Sequence, residues 1–220
     1  MTRKIYPKDL VCMNGRSVKH PFRVELAYAR SDNLLFGEQI YRSDAKLWLH
    51  KDLAQIVCEA ARSCYETHDL RFVLYDGLRT VEAQETMMNT RRAQENPHWM
   101  EPPRLLSTPG GGGHPRAMAI DIGLEDENGK LLDMGCAFDF LAENANSTHN
   151  PAHRKYNHSK EIKHNRAILD SAMIEAAESL EIELFPLPEE WWDFRLLPSF
   201  YREYVPLSEN DLPEAIKIMP

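Results

Sequence analysis

The sequence contains no apolar run that approaches the roughly 20 residues that a membrane-spanning helix requires. The first ten residues include basic side chains, but no apolar stretch follows them, so we do not expect a signal peptide. No block of basic residues occurs, and the net charge of the 220 residues is −8. We therefore do not expect nucleic acid or a membrane as a main partner, and we predict a cytoplasmic location.

Cysteine is also scarce, and the four that occur are Cys12, Cys58, Cys64 and Cys136. No two of them form a C-x-x-C pair, which is a spacing typical of metal-binding or redox-active cysteines. Because their surroundings are apolar or helical, we expect free thiols and no disulfide framework. The chain does have a hydrophobic content of 43%, which over 220 residues suffices for one domain with a proper core.

Two segments have the composition of strands. Residues 71–75 form a short run rich in β-branched and aromatic side chains, which predicts a buried strand. Residues 117–122 alternate between small or acidic side chains and large apolar ones, which is typical of a strand with two different faces. Since no internal repeat and no linker interrupts the chain, residues 1–220 are predicted to form a single α+β domain.

Apolar residues at helical spacing predict two long helices and a shorter one. The first long helix is expected from about Ala45 to Glu66, with Asp44 as its N-cap. His50 falls off its apolar stripe and is predicted to lie on the solvated surface. The second long helix should span 161–180, and the shorter one 80–95.

A glycine-rich segment in the middle of the chain leads into candidate metal ligands. Gly110 to Gly113 are followed by His114 and, seven residues later, by Asp121. In the predicted strand Ala117, Ala119 and Asp121 share one face, and the alanines leave space beside a carboxylate that has no obvious local cation. This pattern suggests a metal site, while a hydrogen-bonded histidine–aspartate pair is the alternative that these residues leave open.

Two further acids flank a pair of tryptophans in Glu190-Trp191-Trp192-Asp193. Because tryptophans favour burial, the acids are expected to lie partly out of water, where they need partners. A divalent metal would satisfy both acids, whereas the alternative is two surface acids beside two core tryptophans. In a regular strand Glu190 and Asp193 point to opposite faces, so they can share a site only if the segment bends or forms a helical turn.

These segments together resemble the D-alanyl-D-alanine dipeptidases of the vancomycin-resistance (VanX-like) type, which are zinc DD-peptidases with a hedgehog-like fold. The family pattern Ser-x-His-x-x-Gly-x-Ala-x-Asp is similar to G-G-H-P-R-A-M-A-I-D at 112–121, and its E-W-W-H-like string is similar to E-W-W-D at 190–193. Further matches to family segments follow in the same order: Leu26 to Gly37, Tyr75 to Arg79, Asp133 to Asp139 and Asn165-Arg166.

The resemblance implies a central, mainly antiparallel sheet with flanking helices. It implies a metal-dependent dipeptidase that hydrolyses D-alanyl-D-alanine, or a similar short D-amino-acid dipeptide, by attack of metal-activated water. One zinc ion per chain would be held by His114, Asp121 and Asp193. Zinc at such a site uses three protein ligands and keeps one position open.

The resemblance also implies the roles of four other residues. Glu190 matches the general base, and Arg79 matches the arginine that binds the substrate and stabilises the tetrahedral intermediate. Tyr28 and Asp139 match positions that help to hold the free amino group of the dipeptide. The chemistry agrees, because a carboxylate can shuttle the proton and a guanidinium can stabilise the developing oxyanion.

Three departures from the family pattern affect the expected activity. Gly112 replaces a serine, which removes one contact to the substrate amino group, and Ala117 replaces a glycine. Asp193 replaces a histidine, so two carboxylates and one imidazole would cancel the charge of the ion. Oxygen-rich ligands also suit Mn²⁺ or Fe²⁺. We therefore expect an active hydrolase with a shifted metal preference or pH profile, and a weakened enzyme stays open.

Two alternatives remain beside the dipeptidase. One is a related enzyme of cell-wall peptides, either a DD-carboxypeptidase or an L,D-endopeptidase, and the other is a non-catalytic binding protein that keeps the fold. The polar loop at 140–160 should discriminate between the enzymes, because a loop that closes over a free amino terminus favours a dipeptidase. Binding of zinc or manganese should discriminate an enzyme from a non-catalytic protein.

Overall fold

The computed structural model describes residues 2–101, 106–142 and 148–220. Within these ranges the helices and strands are, in chain order, β1 (Leu10–Cys12), β2 (Phe22–Val24), β3 (Trp48–His50), α1 (Lys51–His68), β4 (Arg71–Asp76), α2 (Val81–Asn89), α3 (Arg91–Glu95), β5 (Ala119–Glu125), α4 (Lys160–Ser179), β6 (Leu184–Pro186), β7 (Asp193–Leu196) and α5 (Pro198–Tyr201). The chain is therefore of the α+β class, as predicted.

The main sheet, as far as the described residues show, has five strands in the order β2-β4-β5-β7-β6. Only the β2–β4 pair is parallel, and β4–β5, β5–β7 and β7–β6 are antiparallel. The expectation of a mainly antiparallel sheet is thus confirmed. β5 is buried at every residue, as expected of a strand in the middle of a covered sheet.

The two long helices pack against each other beside this sheet. α4 begins and ends within one residue of its predicted bounds, because Ser159 caps it by accepting a hydrogen bond from the Ile162 N–H at 3.3 Å. The shorter predicted helix is divided into α2 and α3. The interruption lies at Thr90, whose backbone is extended and whose hydroxyl accepts from the Ala93 N–H at 3.2 Å.

The predicted start of α1 is wrong by six residues, and so is the predicted exposure of His50. Residues 48–50 are extended because they pair with β1 in a separate two-stranded sheet. His50 is consequently the N-cap of α1, where its Nδ1 accepts from the Asp52 N–H at 3.4 Å. It is only 3% exposed and packs against the rings of Phe200 and Tyr204.

The structure bears on two features of the sequence, the absence of a long apolar run and the scarcity of cysteine. None of the helices in the described part of the chain is long and apolar enough to cross a membrane. All four cysteines are free thiols, as expected.

Candidate active site

Strand pairing brings the two predicted acidic ligands together. β5 and β7 are antiparallel, and Asp121 lies directly opposite Asp193 in their register. Both side chains are almost completely buried, with 2% and 1% of their surface exposed. Ala119 lies opposite Arg195 on the same face, where the small side chain leaves room for the guanidinium. Ala117 precedes β5 in a left-handed conformation and does not extend the strand.

The glycine run is held in place by two buried polar side chains. Gln84 accepts from the Gly110 N–H at 2.7 Å and donates to the Gly111 carbonyl at 3.1 Å. Arg116 donates from Nη1 to the carbonyls of Gly110 and Gly112, both at 2.9 Å. A Cβ at Gly113 would lie 2.9 Å from the Met118 carbonyl oxygen, so only glycine allows this close approach of the loop to β5.

The loop presents His114 with one defined ring nitrogen toward the acids. Nδ1 donates to the Gly77 carbonyl at 2.8 Å, which leaves Nε2 facing the two carboxylates. Nε2 lies 3.4 Å from Asp193 Oδ2 and 3.6 Å from Asp121 Oδ1. Asp121 Oδ1 is buried and has no hydrogen-bond partner among the described residues. An unpaired carboxylate oxygen beside an imidazole nitrogen suits a cation.

The electrostatics of His114 lead to the same conclusion. Burial and the nearby Arg79 oppose protonation, but the carboxylates of Asp121 and Asp193 outweigh them and raise the pKa of His114 to about 10. The site therefore favours a positive charge next to Nε2. A metal ion could take the place of the proton there, with release of that proton.

Among the described residues, Asp76, His114 and Asp121 form the group whose potential ligand atoms all lie within 4.8 Å of one another, and Asp193 is not part of it. Both carboxylate oxygens of Asp76, however, accept hydrogen bonds from other residues. Asp76 Oδ1 accepts from the Tyr41 hydroxyl at 2.9 Å, and Oδ2 accepts from Arg79 Nε at 2.9 Å. Asp76 Oδ2 also lies on the Nδ1 side of His114, at 3.6 Å. Asp76 thus anchors Arg79 whether or not it contacts a metal.

Arg195 holds Asp193 in a two-point ion pair that sequence reasoning missed. Its Nε donates to Asp193 Oδ1 at 2.7 Å, and its Nη2 donates to Oδ2 at 2.6 Å. The guanidinium outweighs the effect of burial and keeps the pKa of Asp193 well below its usual range. The spacing of the two residues in β7 was the available signal, because residues two apart in a strand share a face.

Glu190 reaches the same cavity because the chain before β7 turns. The Glu190 N–H donates to the Leu187 carbonyl, and the Asp193 N–H donates to the Glu190 carbonyl, both at 3.4 Å. The segment therefore bends instead of extending, which is what a shared site for Glu190 and Asp193 requires. Burial, with a further contribution from Asp193, raises the pKa of Glu190 to about 8.

Arg79, Tyr28 and Asp139 line the same cavity. Arg79 Nη2 lies 3.7 Å from Asp121 Oδ2, and the guanidinium stands 5.2 Å from the centre of the Tyr28 ring. The Tyr28 hydroxyl donates to Asp139 Oδ1 at 2.9 Å. Burial, together with the charge of Asp121, raises the pKa of Asp139 well above its ordinary value.

All seven residues that the sequence singled out line one cavity: Tyr28, Arg79, His114, Asp121, Asp139, Glu190 and Asp193. Its lining also includes Ser107 and Arg195, which sequence reasoning did not assign to the site. The arrangement combines potential metal ligands, a buried carboxyl with a pKa near neutrality, and a fixed guanidinium. Such a set is suited to hydrolysis of a polar bond such as an amide.

The chain is similar to known peptidases along most of its length. Residues 9–207 match the model of the peptidase M15 family, whose description is D-ala-D-ala dipeptidase. A D-alanyl-D-alanine dipeptidase from Escherichia coli (strain K12) is 31% identical over 176 residues, which cover 79% of this chain and 78% of that protein. The crystal structure of the Serratia marcescens L-Ala D-Glu endopeptidase ChiX is 16% identical with a TM-score of 0.42, covering 84% of this chain and 96% of that one.

Proposed function

Because the chain belongs to the peptidase M15 family of D-Ala-D-Ala dipeptidases, we propose that it hydrolyses D-alanyl-D-alanine or a similar short D-amino-acid dipeptide with the help of a divalent metal ion. We also propose that residues 1–220 form one metallopeptidase domain. The observation that carries the proposal is the position of His114 Nε2, which lies 3.6 Å from Asp121 Oδ1 and 3.4 Å from Asp193 Oδ2 in the cavity that Glu190 also lines.

One zinc ion is the proposed cofactor, with His114, Asp121 and Asp193 as its ligands. The orphaned Oδ1 of Asp121 and the orientation of His114, whose Nε2 faces both carboxylates, support this set. Asp193 can still contribute, because a carboxylate oxygen that accepts one hydrogen bond keeps a second lone pair. The bound ion would polarise the scissile carbonyl and make water a better nucleophile near neutral pH. Mn²⁺ or Fe²⁺ are the alternatives that the oxygen-rich ligand set permits.

Asp76 has a different role in this proposal. Asp76 Oδ2 lies 3.6 Å from Nδ1 of His114, the nitrogen that donates to the Gly77 carbonyl, whereas Asp121 and Asp193 lie on the Nε2 side. We infer that Asp76 positions Arg79 and does not bind the metal. Arg79 is then held in one orientation, with its charge available for the oxyanion that develops on the substrate carbonyl.

Glu190 is proposed to move the proton. A general base works best when its pKa lies near the working pH, and burial brings the pKa of Glu190 to about 8. Its carboxylate would take a proton from the attacking water, and the carboxylic acid so formed would pass it to the leaving amine. Tyr28 and Asp139, linked by their hydrogen bond, are proposed to hold the amino group of the dipeptide.

A related enzyme of longer cell-wall peptides is the second candidate, and it was predicted to differ in the loop at 140–160. Residues 143–147 of that loop lie outside the described residues, so the substrate length is a matter for experiment. Within the described part of the loop, Leu141 lines the cavity next to Asp139. A residue of this loop in the cavity lining favours a small substrate.

The test is incubation with D,D-, L,D- and L,L-dipeptides and their N-acylated forms, with zinc, manganese or iron added in turn. We expect hydrolysis of free D,D-dipeptides in the presence of metal, and a loss of about 10³-fold in kcat for Glu190→Gln, in which the proton acceptor is absent. Metal content should be unchanged in that variant. The control is Glu189→Gln, because Glu189 is not part of the cavity lining. Equal turnover by wild type and Glu190→Gln would contradict the role of Glu190.

A further inference from the structure

Two polar groups converge on the space that Gly112 leaves open. A Cβ placed at Gly112 would lie 3.5 Å from Ser107 Oγ and 3.7 Å from Arg195 Nη1. Gly112 has φ +81°, a conformation that strongly disfavours other residues, so this space stays free of a side chain. Ser107 and Arg195 line the same cavity as His114 and Glu190.

The orientation of Arg195 is fixed, but its donors are not all used. Nε and Nη2 both bind Asp193, and the side chain is only 14% exposed. Nη1 makes no hydrogen bond to any residue in the described part of the chain. Ser107 Oγ likewise makes none within those ranges. A largely buried guanidinium whose Nη1 group is free, beside a free hydroxyl in the same cavity lining, is suited to an anion.

We propose that Arg195 Nη1 and Ser107 Oγ bind a carboxylate of the peptide substrate in the space beside Gly112. This inference rests on the proposed function, and it adds a specificity-determining residue to it. A guanidinium N–H and a hydroxyl can each donate to one of the two carboxylate oxygens, and the charge of the guanidinium strengthens the first bond. The carboxylate can come from the C-terminus of the peptide or from an acidic side chain.

The charges around the space are consistent with an anionic ligand. Asp193 is the acid that pairs with Arg195. Glu190 lines the same cavity but forms no hydrogen bond with Arg195. Arg116 Nη1 donates to the Gly112 carbonyl at 2.9 Å and so brings a second guanidinium close to Gly112. The charge of the Arg195 guanidinium would repel a substrate ammonium at this position. The free amino group is therefore expected to bind elsewhere, at Asp139.

The test compares matched substrates in wild type and Arg195→Gln at saturating metal. The first pair is D-alanyl-D-alanine and its C-terminal amide, and the second is D-alanyl-D-glutamate and D-alanyl-D-glutamine. We expect wild type to favour the carboxylate member of one pair by roughly tenfold to a hundredfold in kcat/KM, as for a hydrogen bond to a charged group. The pair that is discriminated identifies the source of the carboxylate.

Arg195→Gln should reduce that preference to nearly one, while Arg195→Lys should restore part of it because the charge is retained. The test compares the ratio of the two kcat/KM values of a pair within each variant. The loss of the Arg195–Asp193 ion pair affects both members of a pair alike and so cancels in this ratio. Ser107→Ala should weaken the same preference by a smaller factor. Equal ratios in wild type and Arg195→Gln for both pairs would overturn the carboxylate subsite and leave the proposed function intact.

If wild type hydrolyses none of the four peptides, the proposed function fails and the subsite is judged by binding. Calorimetric titration of the metal-loaded protein with the same peptides should then show tighter binding of a carboxylate member, and this difference should be lost in Arg195→Gln. Indistinguishable binding of both members of each pair would overturn the subsite.

Discussion

Asp193 is the residue at which the structure adds most to the sequence. The sequence has an aspartate at this position, where the resemblance implies a histidine. Nothing in the sequence alone explains why a buried carboxylate is tolerated there. The structure supplies the reason in Arg195, whose two-point ion pair neutralises the acid. The same pair places a positive charge next to the proposed metal ligand, which should weaken binding of a divalent ion.

This pairing determines what a histidine at position 193 should do. In Asp193→His alone, the buried guanidinium of Arg195 loses its partner and stays close to the ion. In Asp193→His combined with Arg195→Met, the ligand set is that of the family and the nearby cation is absent. We expect the double variant to bind zinc at least tenfold more tightly than wild type, measured by competition with a chelator. An equal gain in the single variant would show that Arg195 does not act on the metal.

Arg79 gives a second prediction at this scale. Arg79→Lys keeps the charge but cannot reproduce the double contact of Nε and Nη2 with Asp76 Oδ2. We expect kcat to fall by about 10²- to 10³-fold, as on removal of one oxyanion donor, with a much smaller change in KM. The control is Tyr41→Phe, which removes one hydrogen bond to Asp76 and leaves Arg79 in place. A larger rise in KM than fall in kcat would assign Arg79 to ground-state binding.

Among the elements, those governed by local sequence were predictable and those governed by pairing were not. α4 has a serine cap and a regular apolar stripe, and its bounds were predicted within one residue. The start of α1 was predicted too early because residues 48–50 pair with β1, which no local pattern reveals. The bend that carries Glu190 into the cavity was anticipated as a requirement, but its direction depends on hydrogen bonds to residues 187 and 193.

The glycine loop supplies a prediction for an element. A Cβ at Gly113 would lie 2.9 Å from both the Ala119 Cβ and the Met118 carbonyl oxygen. Gly113→Ala should therefore push the loop away from β5, lower the free energy of unfolding by about 1–3 kcal/mol, and weaken metal binding through His114. Thermal unfolding and metal titration would measure the two effects. Gly15→Ala is the control, since its Cβ would meet only the Cys12 carbonyl oxygen at 3.7 Å.

At the scale of the whole molecule, residues 207–209 hold together the segments that precede and carry the site. We call this set of contacts the brace. The Leu207 N–H donates to the Pro115 carbonyl at 2.6 Å, and the Val81 N–H donates to the Leu207 carbonyl at 3.1 Å. Glu82 accepts from the Ser208 hydroxyl and, at 2.9 Å, from the Glu209 N–H. The order of motifs along the sequence predicted that residues 114 and 193 meet. It could not predict this brace, because its contacts join residues more than 90 positions apart.

The brace makes stability depend on pH. Burial disfavours the charge on Glu82, but the hydrogen bonds from Ser208 and Glu209 outweigh it and lower the pKa of Glu82 below 4.5. Its stabilising effect is therefore present above pH 4.5 and is lost as the pH falls through the lowered pKa. Glu82→Gln should lower the free energy of unfolding by about 0.5–1 kcal/mol at pH 7, and by progressively less in acid. This value allows for the screening of a partly exposed group by solvent. The exposed Glu85→Gln on the same helix is the control, and chemical unfolding at several pH values is the measurement.

Anomalous diffraction at the zinc absorption edge, from crystals of the zinc-loaded protein, locates the ion directly. We expect one peak per chain on the Nε2 side of His114, within bonding distance of carboxylate oxygens of Asp121 and Asp193, at about 2.0–2.2 Å. A peak bonded to Asp76 with none beside Asp193, or no peak at the cavity at all, would contradict the proposed metal site and the dipeptidase built on it.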